Sequence, residues 1–142
     1  MLSIEFETPE HGWMPVKVIY KDIKVSFEVS DVPIDPISQL ESVIDSAITG
    51  GCGEVWWHLE PAGYFLSIQA EEEDYRIKFE YSVNSMDEAR ELVFEYLGSF
   101  DEVIVPLWRS LRKLQSYKWS EFCVSAPIID SITKQIKVKQ KD

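Results

Sequence analysis

Three segments within the first thirty residues alternate apolar and polar side chains, and no other feature constrains the fold as much. Leu2, Ile4 and Phe6 alternate with Ser3, Glu5 and Glu7. Met14, Val16, Val18 and Tyr20 alternate with Pro15, Lys17 and Ile19, and Ile23, Val25, Phe27 and Val29 with Lys24, Ser26, Glu28 and Ser30. A strand turns successive side chains to opposite faces, so one apolar row per segment predicts a half-buried antiparallel sheet. The join Tyr20-Lys21-Asp22-Ile23 is short enough for a hairpin.

A helix is predicted next. Asp35 suits an N-cap and Pro36 the first helical position. Ile37, Leu40, Val43, Ile44, Ala47 and Ile48 form its apolar stripe, and Gly50-Gly51 ends it. Alternation then returns at Val55, Trp57 and Leu59, with Trp56 and His58 on the opposite face. It continues at Tyr64, Leu66, Ile68 and Ala70, and after the acidic run 71–74 at Tyr75, Ile77, Phe79 and Tyr81. Ser85-Met86-Asp87-Glu88 has the form of a capping box, and Ala89, Leu92, Val93, Tyr96 and Leu97 match a helical stripe ending at Gly98. Gly12-Trp13 corresponds to Gly63-Tyr64, and Val25–Ser30 to Ile77–Ser82, at a near-constant offset. The expectation is a single α+β domain over 1–142, with an antiparallel sheet from a duplicated β-β-β-α pattern and helices on one face. Its pseudo-repeat halves are about 1–51 and 52–98, followed by a C-terminal helical segment, 99–142. Ser99-Phe100-Asp101-Glu102 caps a helix in that segment, and Ile128, Ile129, Ile132 and Ile136 mark an element of undecided type. Leu40, Val43, Ile44, Leu92, Val93 and Leu97 are expected in the core.

Charge narrows the function. The 142 residues carry a net charge of −11, and no Lys or Arg occurs between Lys24 and Arg76. Residues 1–104 hold 22 acids and 6 bases, whereas 105–142 hold 3 acids and 8 bases. A phosphate backbone is bound through clustered cations, so nucleic acid is not the expected partner. No apolar run approaches the roughly 20 residues that span a bilayer, and the N-terminal pattern is not that of a signal peptide. Cys52 and Cys123 stand far apart, outside any Cys-x-x-Cys or metal-ligand spacing, which predicts free thiols and a cytoplasmic location. Phosphate loops, Gly-x-Ser-x-Gly and His-Glu-x-x-His are missing from the sequence. The chain therefore reads as a non-enzyme without cofactor or metal.

The run Glu54-Val55-Trp56-Trp57-His58-Leu59-Glu60-Pro61-Ala62-Gly63-Tyr64-Phe65-Leu66 resembles a segment of small uncharacterised bacterial proteins. Some of these are counted among the immunity proteins of polymorphic and contact-dependent toxin systems. The resemblance covers roughly residues 13–115. It implies a cytosolic α+β protein that neutralises a toxin, and it transfers no catalytic or binding residue. The charge pattern supplies the expected contact surface for a basic toxin: Asp31, Asp35, Glu41, Asp45, Glu71, Glu72, Glu73 and Asp74, with Glu41 and Asp45 facing outward from the first helix. Trp56 and Phe65 add an aromatic contact on the sheet unless residues 117–142 fold over them. The alternative is a non-catalytic domain that binds a small molecule or forms an oligomer, which leaves a homodimer open.

Overall fold

A computed structural model describes residues 1–85 and 89–141 of the chain, apart from the side chain of Lys141. Its elements run β1 (Ser3–Phe6), β2 (Trp13–Tyr20), β3 (Ile23–Ser30), α1 (Pro36–Ile48), β4 (Cys52–His58), β5 (Gly63–Glu71), β6 (Asp74–Ser82), β7 (Glu91–Gly98), α2 (Phe100–Ser116) and α3 (Ala126–Lys141). The fold is α+β and its sheets are antiparallel, as the alternation predicts. There are two sheets rather than one, ordered β1-β2-β3 and β4-β5-β6-β7.

The first half follows its local signals. Lys21 takes a positive φ in the two-residue turn that joins β2 to β3, and all eight residues of each strand pair. Asp35 caps α1 by accepting the Ile37 N–H at 2.8 Å, and the stripe from Ile37 to Ala47 is buried.

The second half departs from expectation at one element. The predicted helical stripe over 89–97 is instead strand β7, paired with β6 from Tyr75↔Gly98 to Tyr81↔Glu91. Met86, Asp87 and Glu88 of the supposed capping box lie outside the described residues. Phe94 is buried, whereas Leu92 and Leu97 are 54% and 47% exposed, so neither belongs to the core. Val93, Phe94 and Tyr96 favour extended backbone, and pairing satisfies the free edge of β6 with a ladder of main-chain hydrogen bonds. Each half holds three consecutive antiparallel strands, β1-β2-β3 and β4-β5-β6, followed by a helix in the first and by a strand in the second.

The inner faces of the sheets meet through aromatic rings. Phe27 lies 4.7 Å from Tyr64 between ring centroids and 6.0 Å from Trp57, while Tyr20 stacks on Tyr96 at 4.3 Å. Offset and edge contacts at these separations are favourable beyond the area they bury. Helices cover the rest of the core. At α2 the Ser99 capping box forms as predicted, and Pro106 sits inside the helix. Proline has no N–H for the Glu102 carbonyl four residues back, and the Tyr96 hydroxyl donates to that carbonyl at 3.5 Å. Ser110 Oγ donates to the Pro106 carbonyl and accepts the Ile4 N–H, both at 3.1 Å, which ties α2 to the edge of β1.

The undecided C-terminal segment forms α3, with Ile129, Ile132 and Ile136 fully buried. It packs on α1 and α2. The described residues of this segment, 117–141, therefore cover α1 and not the pair Trp56 and Phe65.

Candidate functional site

The acids expected to share one surface are distributed over three places. Asp31 ends the β2–β3 hairpin, half-buried, with its N–H bonded to the Gly12 carbonyl at 3.1 Å. Asp35 is occupied as the α1 cap, where burial pushes its carboxyl up against the opposing pull of the Ile37 and Ser38 amides. Glu41 does not face outward. It is 1% exposed, its Oε1 accepts the Ser125 N–H at 3.0 Å, and its Oε2 has no hydrogen-bond partner. Burial raises its pKa, because a desolvated carboxylate is disfavoured against its neutral form. Asp45, one turn on, accepts from Gln135 Nε2 at 2.9 Å. The helix stripe does place these two acids away from the sheet, but α3 then closes over that side.

Glu71 to Asp74 form the β5–β6 turn. There Glu71 holds Arg76 through bonds of 2.9 and 3.3 Å, and Glu72, Glu73 and Asp74 are exposed. The Ala70 N–H bonds the Gly51 carbonyl just beyond α1, so this turn lies at the C-terminal end of the helix. Asp31 and Asp35 lie at the other end. Thirteen helical residues span roughly 20 Å, and the two acidic groups are that far apart.

The outer face of the four-stranded sheet carries the expected aromatics, but as part of a charge-paired surface. Arg90 lies over the Phe65 ring at 3.6 Å, which leaves that ring buried. Its guanidinium forks onto Glu54 at 2.6 and 3.1 Å and reaches Glu80 at 3.5 Å. Arg76 joins Glu71 to Glu95 in the same way. Trp56 is half-buried and packs on His58 at 4.5 Å, with its indole N–H buried and unbonded. A cleft of about 420 Å³ runs along this face past Glu54, Ser67, Arg76 and Lys78.

Uncompensated charge gathers on the other sheet. The outer face of β1-β2-β3 is concave, with a cleft of about 320 Å³ lined by Glu5, Glu7, Pro15, Lys17, Ser26 and Glu28 among others. The strand register assembles it: Glu5 pairs with Lys17 and Lys17 with Ser26, Pro15 pairs with Glu28, and the Glu7 N–H bonds the Pro15 carbonyl. Among the described residues, neither Lys17 nor any of the three glutamates makes an ion pair. Past Pro15 the same face continues to Trp13, with Glu10 bridged to it and Asp31 beyond its partner Ser30. Glu5, Glu7, Glu10 and Glu28 were not among the expected site residues. The signal for the first two was present, since they occupy the polar phase of the β1 alternation.

Cys52 and Cys123 are exposed free thiols. Among the described residues no three His, Cys, Asp or Glu side chains are placed to hold a metal ion, and no helix is long and apolar enough to cross a membrane. No family model and no curated protein matches the chain. In outline it is similar to a chain of the solved CdiA-CT/CdiI toxin and immunity complex from Enterobacter cloacae. The identity is 11%, 80% of this chain and 99% of that one are covered, and the TM-score is 0.48. A likeness at that level decides neither family nor function.

Proposed function

We propose that this chain is a protein-binding inhibitor of the immunity type, which masks a cationic toxin through an acidic surface. The observation that carries the reading is the contrast between the two sheets. On the four-stranded sheet Glu54, Glu71, Glu80 and Glu95 are matched by Arg76 and Arg90. On the outer face of the three-stranded sheet Glu5, Glu7 and Glu28 share the surface with Lys17 and Lys24 without forming an ion pair among the described residues, and Glu10 stands beyond them, bridged to Trp13. Like charges held together without partners repel one another within the fold, and a basic partner would relieve that repulsion. The resemblance of residues 54–66 to small bacterial proteins, some of them counted among immunity proteins, points the same way. The acidic surface proposed here is that of β1, β2 and β3 rather than the one beside α1.

The test is co-expression with the product of the reading frame immediately upstream of the gene, followed by stopped-flow association of the purified pair. That product should arrest growth alone and be neutralised by this chain. Reversing Glu5, Glu7 and Glu28 to Lys should slow association about tenfold or more and flatten its salt dependence, since steering acts on the on-rate. Reversing Glu72 and Glu73 should change it little. A harmless upstream product, or a triple reversal with parental kinetics, overturns the proposal.

A further inference from the structure

Four strands form the outer edges of the two sheets, and they are not equally protected. The Ile4 N–H of β1 is taken by Ser110 Oγ, and the Trp56 N–H of β4 is taken by Gln39 Oε1 at 2.9 Å. The outward row of β3 is polar, with Lys24, Ser26 and Glu28, and a lysine is a usual guard against strand pairing. Strand β7 has none of these features. It contains no lysine or arginine, and among the described residues no side chain or loop bonds the backbone of 91–97 on the side away from β6. Along it stand Leu92 and Leu97, 54% and 47% exposed, on the face that carries Glu80 and Arg76.

Exposed leucines on an unpaired edge are an aggregation liability unless the edge has an occupant. We infer that β7 is a strand-addition site, which accepts an extended segment of a basic protein partner as a fifth strand of the larger sheet. The side chains specify the segment. On the outer face Leu92, Glu95 and Leu97 follow one another, with the register shift between Phe79 and Glu80 bringing Leu92 onto that face. The incoming strand should set apolar side chains against the leucines and a Lys or Arg against Glu95. Exposed Glu91 makes no ion pair among the described residues, and Glu95 shares Arg76 only at 3.6 Å. A second copy of this chain fits less well, because its own β7 would bring two more carboxylates and no base to the seam. Main-chain bonds would supply affinity and the alternating side chains specificity. The inference rests on the reading of the chain as a binder of a basic protein, but it places a contact on a different sheet from the acidic cleft.

The experiment is amide hydrogen exchange of the intact chain with and without a ten-residue peptide alternating valine and lysine. Exchange across residues 91–98 should slow about tenfold at saturation, as it does when open backbone becomes paired. A peptide alternating valine and glutamate should give no protection. The double variant Leu92→Lys, Leu97→Lys keeps its fold because both side chains already meet solvent, and it should lose the protection. Absence of protection in β7, protection confined to β3 or the acidic cleft, or protection unchanged in the double variant overturns the inference. Reversal of Glu5, Glu7 and Glu28 leaves β7 intact, so toxin capture lost in that variant with peptide protection retained separates the two proposals.

Discussion

Truncating β7 one side chain at a time distinguishes the strand from the helix that the same residues match. In a helix over 89–97, Leu92 and Leu97 lie in the core and Phe94 points to solvent. Losing either leucine would then cost about 2–5 kcal/mol. In the strand the pattern inverts. Phe94 is 5% exposed, with Tyr20, Phe79 and Tyr96 at 4.9, 5.3 and 6.2 Å between ring centroids. Phe94→Ala leaves a cavity among those rings and should cost about 3–5 kcal/mol. Leu92 retains 54% of its exposure. Full burial of a leucine is worth about 1.5–3 kcal/mol, so Leu92→Ala should cost about 1 kcal/mol or less, and Leu97→Ala the same. Urea unfolding followed by tryptophan fluorescence measures the difference. With a slope near 2 kcal/mol per molar, Phe94→Ala should lower the midpoint by about 2 M and the leucine variants by about 0.5 M or less. A leucine variant as damaging as Phe94→Ala would refute the strand assignment, and with it the edge on which the strand-addition site rests.

Two further predictions concern titratable groups. Burial raises the folded pKa of Glu41, so its contribution to stability is fully present below the unfolded carboxylate value and is lost as pH rises through the folded one. Glu41→Gln keeps an oxygen for the Ser125 N–H and removes the charge. Its urea midpoint should therefore fall less than the parental one between about pH 4 and pH 7, and an identical decline in both proteins would show that Glu41 is not desolvated under α3. Cys52 and Cys123 are exposed and unpaired. A thiol reagent should find both without denaturant, and an intact native protein with fewer than two reactive groups would contradict the structure.

Most elements were legible in the chain because their causes are local. Alternation at Leu2, Ile4 and Phe6 or at Tyr64, Leu66 and Ile68 is a property of adjacent residues, and strand geometry turns it directly into a buried and a solvated face. Asp35 before Pro36, and Ser99 three residues before Glu102, mark helix starts through bonds that close within one turn. The segment 89–98 was not legible in this way. Val93, Tyr96 and Leu97 fit a period near 3.6, while Phe94, Tyr96 and Gly98 fit a period of two, and so short a segment cannot separate them. The open edge of β6 decides between them, and that edge exists only once β5 and β6 have paired.

The surface charge has the same origin. An amphipathic helix shows which side of α1 leaves the sheet, and Glu41 and Asp45 are on that side. Whether the side meets water depends on α3, which returns from more than eighty residues away to place the Ser125 N–H on Glu41 and Gln135 on Asp45. The glutamates of β1 and β3 are polar positions by alternation alone. They become one concave cluster because the β1–β2 and β2–β3 registers carry Glu5, Glu7 and Glu28 to the same stretch of β2. Periodicity assigns a side chain to a face, but only long-range pairing and packing decide which faces are covered and which charges become neighbours.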